Sequence, residues 1–483
     1  MTEVLDAVVV GSGPNGLSAA VELARNGAAV RVLEAQPEIG GGARTAELTL
    51  PGFRHDLGSG CHPLGILSPY LSTLPLGRHG LEWVSSPISV AHPLDDQPAV
   101  LLRHSVEATA EGLGRDAGAY RRLVSPLLHD PRALLAEVLR PLPHLPAHPL
   151  LLARFGVRAA LPASVLARAV FREERARALI AGLAAHSILP LGRPVTAAVA
   201  VVFLVTAHVE DWPVARGGSS AISGALASYL GELGGSIQTS TPVTSLDDLP
   251  PARAYLFDTD PAQLAAIAGA ELPARYLARL RRYRYGPGVF KVDWALDGPI
   301  PWRDPEVARA ATVHVGGTLA EIANGEREMW DGRHPERPYV LLVQQSALDS
   351  TRAPEGRHTG YAYVHVPAGS AVDMTDRIER QVERFAPGFR DRILARHRMG
   401  PADLERGNAN LRGGAITGGV TDLVQMLARP AVRLDPYSTP NPRIALCSAS
   451  TPPGGGVHGM CGYWAARSVL RRLRDLPAGR LRS

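Results

Sequence analysis

The chain opens on an unbroken apolar run, Ala7-Val8-Val9-Val10. A run without alternation predicts a strand covered on both faces. Leu17, Ala20, Val21 and Ala24 then recur at helical spacing, predicting an amphipathic helix over Leu17–Asn26 that Gly27 stops. Val30 to Leu33 predicts a second strand. Further on, a helix is predicted over Ala221–Leu233, ended by Gly234-Gly235, with a strand and turn from Ser236 to Val243. Ala254–Asp260 and Arg443–Ala449 read as buried strands, and a helix follows over Met460–Leu473. Between these pieces lie helical stretches, Glu107–Leu128 and Arg172–Ala185, and strand-like ones, Val289–Leu296, Tyr339–Gln344 and Tyr361–Val366. The most apolar run, Val195–Val209, is about two-thirds of a membrane span or less and contains Thr206 and His208, so it reads as a buried helix.

Composition narrows the class. The 483 residues are 45% apolar and 20% charged, which fits a soluble globular chain of two or three domain-sized units. The net charge is +5, and the positive charge is almost all arginine, since Lys291 is the single lysine. The densest basic stretch, Arg275 to Arg284, reads as the solvated face of a helix rather than a nucleic-acid patch. Cys61, Cys447 and Cys461 have no CxxC spacing and form no disulfide framework, which points to a reducing compartment such as the cytoplasm. The start, MTEVLDAVVVG, has no signal-peptide pattern. No metal constellation, Ser-His-Asp set or carboxylate pair stands out.

The first strand runs directly into Gly11-Ser12-Gly13-Pro14-Asn15-Gly16, a GxGxxG in strand–turn–helix context. In this motif Gly11 makes the tight turn, Gly13 lets backbone approach a pyrophosphate, and Gly16 lets helix pack on strand. The helix N-terminus offers free N–H groups to the phosphates. Glu34 stands 34 − 16 = 18 residues past the last glycine, near the spacing at which an acid grips ribose hydroxyls. An acid there repels the extra phosphate of NADP.

The next residues, Ala35 to Thr45, include Gly41-Gly42-Ala43-Arg44, which resembles the glycine doublet with arginine in FAD proteins of the glutathione-reductase-like, amine-oxidase group. Arg44 then pairs with the phosphates. The loop Ser450 to Gly459, with Gly455, Gly456 and Val457, resembles the C-terminal flavin motif of that group, and Val243 matches the valine whose backbone meets adenine. Together with Asp56 to Leu64 and Gly286 to Asp297, these stretches resemble the phytoene-desaturase-like branch of the FAD-dependent oxidoreductases.

The resemblance implies an α/β fold: a Rossmann-like, glutathione-reductase-like FAD-binding domain with an inserted α+β substrate domain. The FAD domain would comprise residues 1–75, 215–265 and 405–483. Residues 76–214 would form a mostly helical first insert, and 266–404 a second of sheet and helices. The cofactor set is then Gly11, Ser12, Gly13, Pro14, Asn15, Gly16, Glu34, Ala35, Gly41, Gly42, Ala43, Arg44, Val243, Gly455, Gly456 and Val457. His62 and His458 are the catalytic candidates, and Lys291 is read as a surface or salt-bridged residue before a functional one. The implied reaction is hydride removal from a small or medium-sized apolar substrate to FAD, with oxygen or a quinone as acceptor. The alternative is a non-redox use of the fold, as an isomerase or a binding protein. A third reading, carotenoid desaturation on a membrane, predicts an exposed apolar entrance patch, though no clear amphipathic membrane helix forces it; no nucleic-acid partner is indicated, and oligomeric state stays open.

Overall fold

A computed structural model describes residues 5–476 apart from 143 and 474. Residues 1–4 of the N-terminal segment and 477–483 of the expected third FAD segment lie outside the described residues. Five parallel strands form one sheet, in the order Ile444–Leu446, Ala252–Phe257, Leu5–Val10, Val30–Leu33, Ser236–Gln238. They come from three distant parts of the chain. Leu5–Val10 is central, and its unbroken apolar run is used on both faces. Ala7 and Val9 pack toward helices Pro14–Arg25, Ser220–Glu232 and Met460–Leu473. Val8 and Val10 pack toward Pro261–Ile267 and Ala274–Arg281. The C-terminal helix lies so close to the N-terminal one that a Cβ on Gly462 would collide with the Asn15 carbonyl oxygen.

A second, seven-stranded sheet runs Ile393–Met399, Gly288–Leu296, His358–Val366, Val340–Val343, Ala310–Val315, Ile88–Leu94, Gln97–Arg103. All its pairs are antiparallel except Ala310–Val315 with Ile88–Leu94. The first insert therefore also supplies a hairpin to this sheet. Its strand Ile88–Leu94 is buried along its whole length and contains Pro93, so it shows no alternation and reads poorly as a strand. Asp96, at φ 51°, makes the turn. The helix read over Glu107–Leu128 is two helices, Val106–Glu111 and Ala117–Val124, parted at Gly112 and Gly114. Val195–Val209 yields the helix Thr196–Ala207, packed inside the helical cluster. Among the described residues no single helix is long and apolar enough to cross a membrane.

On one face of the seven-stranded sheet Phe290, Val292 and Trp294 pack toward helix Thr375–Phe385. The opposite face, with Lys291 and Asp293 between those residues, turns toward the five-stranded sheet. Strand alternation thus delivers two charged side chains to the space between the sheets.

Candidate cofactor and substrate site

A cavity of about 480 Å3 occupies that space. Its first half lies at the carboxyl ends of the parallel strands, where ligands bind in open α/β sheets. Gly11 takes φ 103°, and a Cβ on Gly16 would collide with the Gly11 carbonyl oxygen. Gly13 caps the helix Pro14–Arg25 without a side-chain bond, leaving first-turn N–H groups for an anion. Asp258, just past Ala252–Phe257, accepts a hydrogen bond from Gly16 N at 2.9 Å. Burial, reinforced by Glu34, pushes its carboxyl well above the usual range. Glu34 ends Val30–Leu33. Its carboxylate accepts from Ser12 N at 2.8 Å, Ser12 Oγ at 2.6 Å and Gln36 N at 2.9 Å.

These residues fit a dinucleotide. A carboxylate offers about four acceptor sites, and three of Glu34's are used, so one remains for a ribose hydroxyl. Asn15 Oδ1 and Thr259 Oγ1, in residues that line the cavity, are buried without protein partners, so a bound ligand has polar groups to satisfy.

Of the sequence-derived cofactor set, Gly11, Gly13, Pro14, Asn15, Glu34, Ala35, Gly41, Gly42, Arg44, Val243, Gly455, Gly456 and Val457 line this one cavity. Ser12, Gly16 and Ala43 stand behind its wall. Ser12 holds Glu34, Gly16 is clamped by Asp258, and the Ala43 carbonyl accepts from Ser223 Oγ at 3.0 Å. Arg44 lines the cavity with its guanidinium braced on backbone, donating to Gly41 O at 3.0 Å and Gly407 O at 2.7 Å.

The two histidines separate. His62 lines the cavity and is held on both ring nitrogens, by Ser219 Oγ at 3.0 Å and Ser59 Oγ at 3.4 Å. Burial lowers its pKa to about 4, so it is neutral at pH 7. His458 is placed differently from His62. It is not among the residues that line the cavity, and its Nδ1 accepts from Met460 N at 3.0 Å, capping the C-terminal helix. Burial lowers it to about 4 as well. Cys61 lines the cavity, but burial pushes its thiol up to about 12 and its Sγ donates to Trp212 O at 3.3 Å.

The second half of the cavity is a chamber walled by the seven-stranded sheet and the helical insert. Ile188, Phe203, Trp212, Leu341, Val343, Tyr361 and Tyr363 make it largely apolar. Among the described residues, Lys291 is its one charged side chain. It is buried at 3% exposure, contacts both Asp293 carboxylate oxygens at 2.5 Å, and stands 4.6 Å from the Tyr361 ring centre. Burial raises Asp293, but the Lys291 charge and hydrogen bond, together with His397 and His55, outweigh it, so Asp293 sits below the usual carboxylate range. The salt-bridged reading of Lys291 holds and the surface reading does not. His186 also lines the chamber, its Nε2 3.0 Å from His314 Nε2. Burial lowers His186 to about 3, so this pair is neutral too. Behind the wall, fully buried Arg352 pairs with Asp56 and Asp349, both at 3.0 Å. Those carboxylates accept from Ser219 N at 2.8 Å and Gly217 N at 2.7 Å, pinning the turn that holds His62.

Asp258, Asp293, His186 and the aromatic wall were not singled out from sequence as site residues, and Lys291 was read as functional only after a surface or salt-bridged role. The one available signal was Asp258-Thr259-Asp260 at the end of a predicted buried strand, the position where a parallel sheet presents its ligand groups.

Comparison with known proteins agrees with this geometry. A family model described as an NAD(P)-binding Rossmann-like domain matches residues 9–70. The mouse "pyridine nucleotide-disulfide oxidoreductase domain-containing protein 2" is 28% identical, over 98% of this chain and 94% of that protein. An oxidoreductase from Methanosarcina mazei has a similar structure, with TM-score 0.67 at 16% identity, covering 97% of this chain and 100% of that one. Putrescine oxidase bound to putrescine gives TM-score 0.61 at 19% identity, covering 98% of each chain. The chain thus has an α/β fold with a Rossmann-like parallel sheet and an added domain, shared with these oxidoreductases.

Proposed function

We propose that the protein is an FAD-dependent oxidoreductase that oxidises or desaturates an uncharged, largely apolar substrate of small to medium size. One observation carries the reading: a single cavity joins a dinucleotide cradle built from three distant chain segments to an apolar chamber. FAD is favoured over a nicotinamide nucleotide because the Gly41-Gly42 and Gly455-Gly456 loops reach the same cavity as the GxGxxG turn. Those loops carry the resemblance to FAD proteins. The acidic residues on the cavity wall, Glu34, Glu38 and Asp258, belong to the cradle. The chamber end carries only the Lys291 cation among charged groups, so a cationic amine finds no free counter-charge there. An uncharged substrate, as the likeness to the phytoene-desaturase-like branch also implies, fits better.

Bound FAD supplies a hydride acceptor for a substrate C–H bond. The chain's own residues do the rest. Phe203, Trp212 and Tyr361 exclude water and orient the substrate by its apolar faces. Asp293 fixes the Lys291 ammonium at the wall, where its remaining donor can hold a polar atom in place. An external acceptor such as oxygen or a quinone closes the cycle.

The test is anaerobic mixing of the purified holoprotein with a panel of apolar alkenes, alcohols and amines, followed by visible absorption. Bleaching of the flavin bands by an uncharged member supports the proposal. Bleaching by cationic diamines alone would overturn the substrate class. An isomerised product without bleaching would favour non-redox use of the fold.

A further inference from the structure

The helix Leu423–Ala428 is built inside out. Its buried residue is the polar Gln425. The Gln425 amide nitrogen donates to Arg284 O at 2.8 Å and Val420 O at 3.1 Å, and its oxygen accepts from Arg284 N at 3.2 Å. Its apolar residues point outward instead: Leu423 is 47%, Val424 71% and Leu427 51% exposed. The chain then adds Val432 at 70% and Leu434 at 109%. Scattered exposed leucines are ordinary, but five exposed large apolar side chains fall here within twelve residues of the chain.

A basic rim lies against this patch. Helix Ala274–Arg281 and the residues after it run beside the patch at both ends. Arg279 donates to Val432 O at 3.5 Å, the Arg433 guanidinium lies 5.9 Å from the Tyr276 ring centre, and Arg284 pairs with Asp422 at 2.7 Å. Arg275, Arg279, Arg281, Arg282 and Arg433 are all exposed there. Arg275, Arg281 and Arg282 form no salt bridge with any described residue. The acids that flank the patch in sequence are already committed, Asp422 to Arg284 and Asp435 to Ser468 and Arg471.

We propose that this face docks on an anionic lipid surface. Leu423, Val424, Leu427, Val432 and Leu434 enter the interfacial layer, and the arginine rim meets the phosphate headgroups. The charge pattern decides the occupant. An apolar centre with a rim of unpaired arginines is what an anionic bilayer recognises, whereas a second copy of this chain would set the same like charges against each other. The patch also follows directly on Ile416, Thr417 and Gly418, which line the cavity, so docking places the site beside the phase in which an apolar substrate dissolves. Docking itself is independent of the redox reading, because vesicle binding is measured without turnover.

The experiment is co-sedimentation of the full holoprotein with phosphatidylcholine vesicles, with and without phosphatidylglycerol, at low and high salt. Binding is expected to the anionic vesicles and to weaken as salt screens the rim. The variant L423S/V424S/L427S should bind at least tenfold more weakly. R279E/R282E should lose about fivefold or more for each arginine changed, on the ordinary contribution of one basic residue near an anionic surface. Circular dichroism and cofactor content should stay unchanged, since these side chains face water. Absence of vesicle binding, or binding that the triple-serine variant retains, would overturn the inference. So would a dimer in light scattering that this variant converts to monomer, because the patch would then be an interface between copies.

Discussion

The two halves of the cavity are built by different means. The cradle is made of backbone: glycine turns, a helix N-terminus and strand ends, with Glu34 and Asp258 as its side-chain clamps. The chamber is made of side chains projected by alternate strand positions and by helices far away in sequence, such as Lys291, Tyr361, His186 and Trp212. Backbone recognition demands particular residues at fixed local spacing. Side-chain recognition demands only that something of suitable size and polarity arrive from somewhere. The first constrains the cofactor tightly, and the second leaves the substrate open to variation.

The sharpest way to break the cradle alone is Gly16→Val. Its side chain would meet the Gly11 carbonyl oxygen and displace Asp258. Loss of bound cofactor and destabilisation by about 4 kcal/mol or more are expected, because the clash is with backbone. The ratio of flavin to protein absorbance and thermal unfolding read both effects.

The matching change in the chamber is Lys291→Met. It leaves Asp293 buried and without its cation, which costs about 3–5 kcal/mol. Cofactor content should stay near wild type while flavin reduction by substrate slows. The double variant K291M/D293L should regain most of the stability without regaining the rate. A double variant as fast as wild type would remove the pair from the chemistry.

Acid should unsettle both halves through their buried histidines. His55, His62, His92, His208 and His458 are each lowered by burial to about 4, from an ordinary 6.5. Between those values the unfolded chain binds protons that the folded chain refuses. Their contribution is therefore complete above pH 6.5 and is lost as pH falls toward 4, by up to about 3 kcal/mol for each site. Denaturant unfolding at a series of pH values should show the steep loss inside this window. A flat profile there would contradict the neutral burial of these rings.

The smallest effect is expected from His458→Ala. It removes a helix cap rather than a reacting group, so about 1 kcal/mol of stability should go while turnover stays within a few-fold. His62→Ala reaches the cavity wall and should slow turnover more, through loss of the Ser219 and Ser59 contacts.

Legibility in the sequence followed the same division. The GxGxxG turn, Glu34, the Gly41-Gly42 loop and the Gly455-Gly456 loop could be read because each is a local pattern with a backbone reason. His458 had no such local reason: proximity in sequence to a flavin-like loop does not fix which way a ring points, and the N–H at the start of the last helix takes its Nδ1. Lys291 was visible as the single lysine, and its alternation away from Phe290 and Val292 was legible. Its burial was not, because the partner Asp293 and the covering Tyr361 become neighbours only when strands Gly288–Leu296 and His358–Val366 pair. The hairpin Ile88–Arg103 escaped notice because its buried strand Ile88–Leu94, unlike Ala7–Val10, is interrupted by Ser89, His92 and Pro93, so it shows neither alternation nor an unbroken apolar run.

The most direct test of the central claim is to identify what the cradle holds. The purified protein is scanned for visible absorption, denatured, and the released small molecule is separated and weighed by mass spectrometry. The account predicts flavin bands that bleach with dithionite and one FAD released per chain. A colourless protein that takes up no FAD from excess, or one that releases a nicotinamide dinucleotide instead, would contradict it.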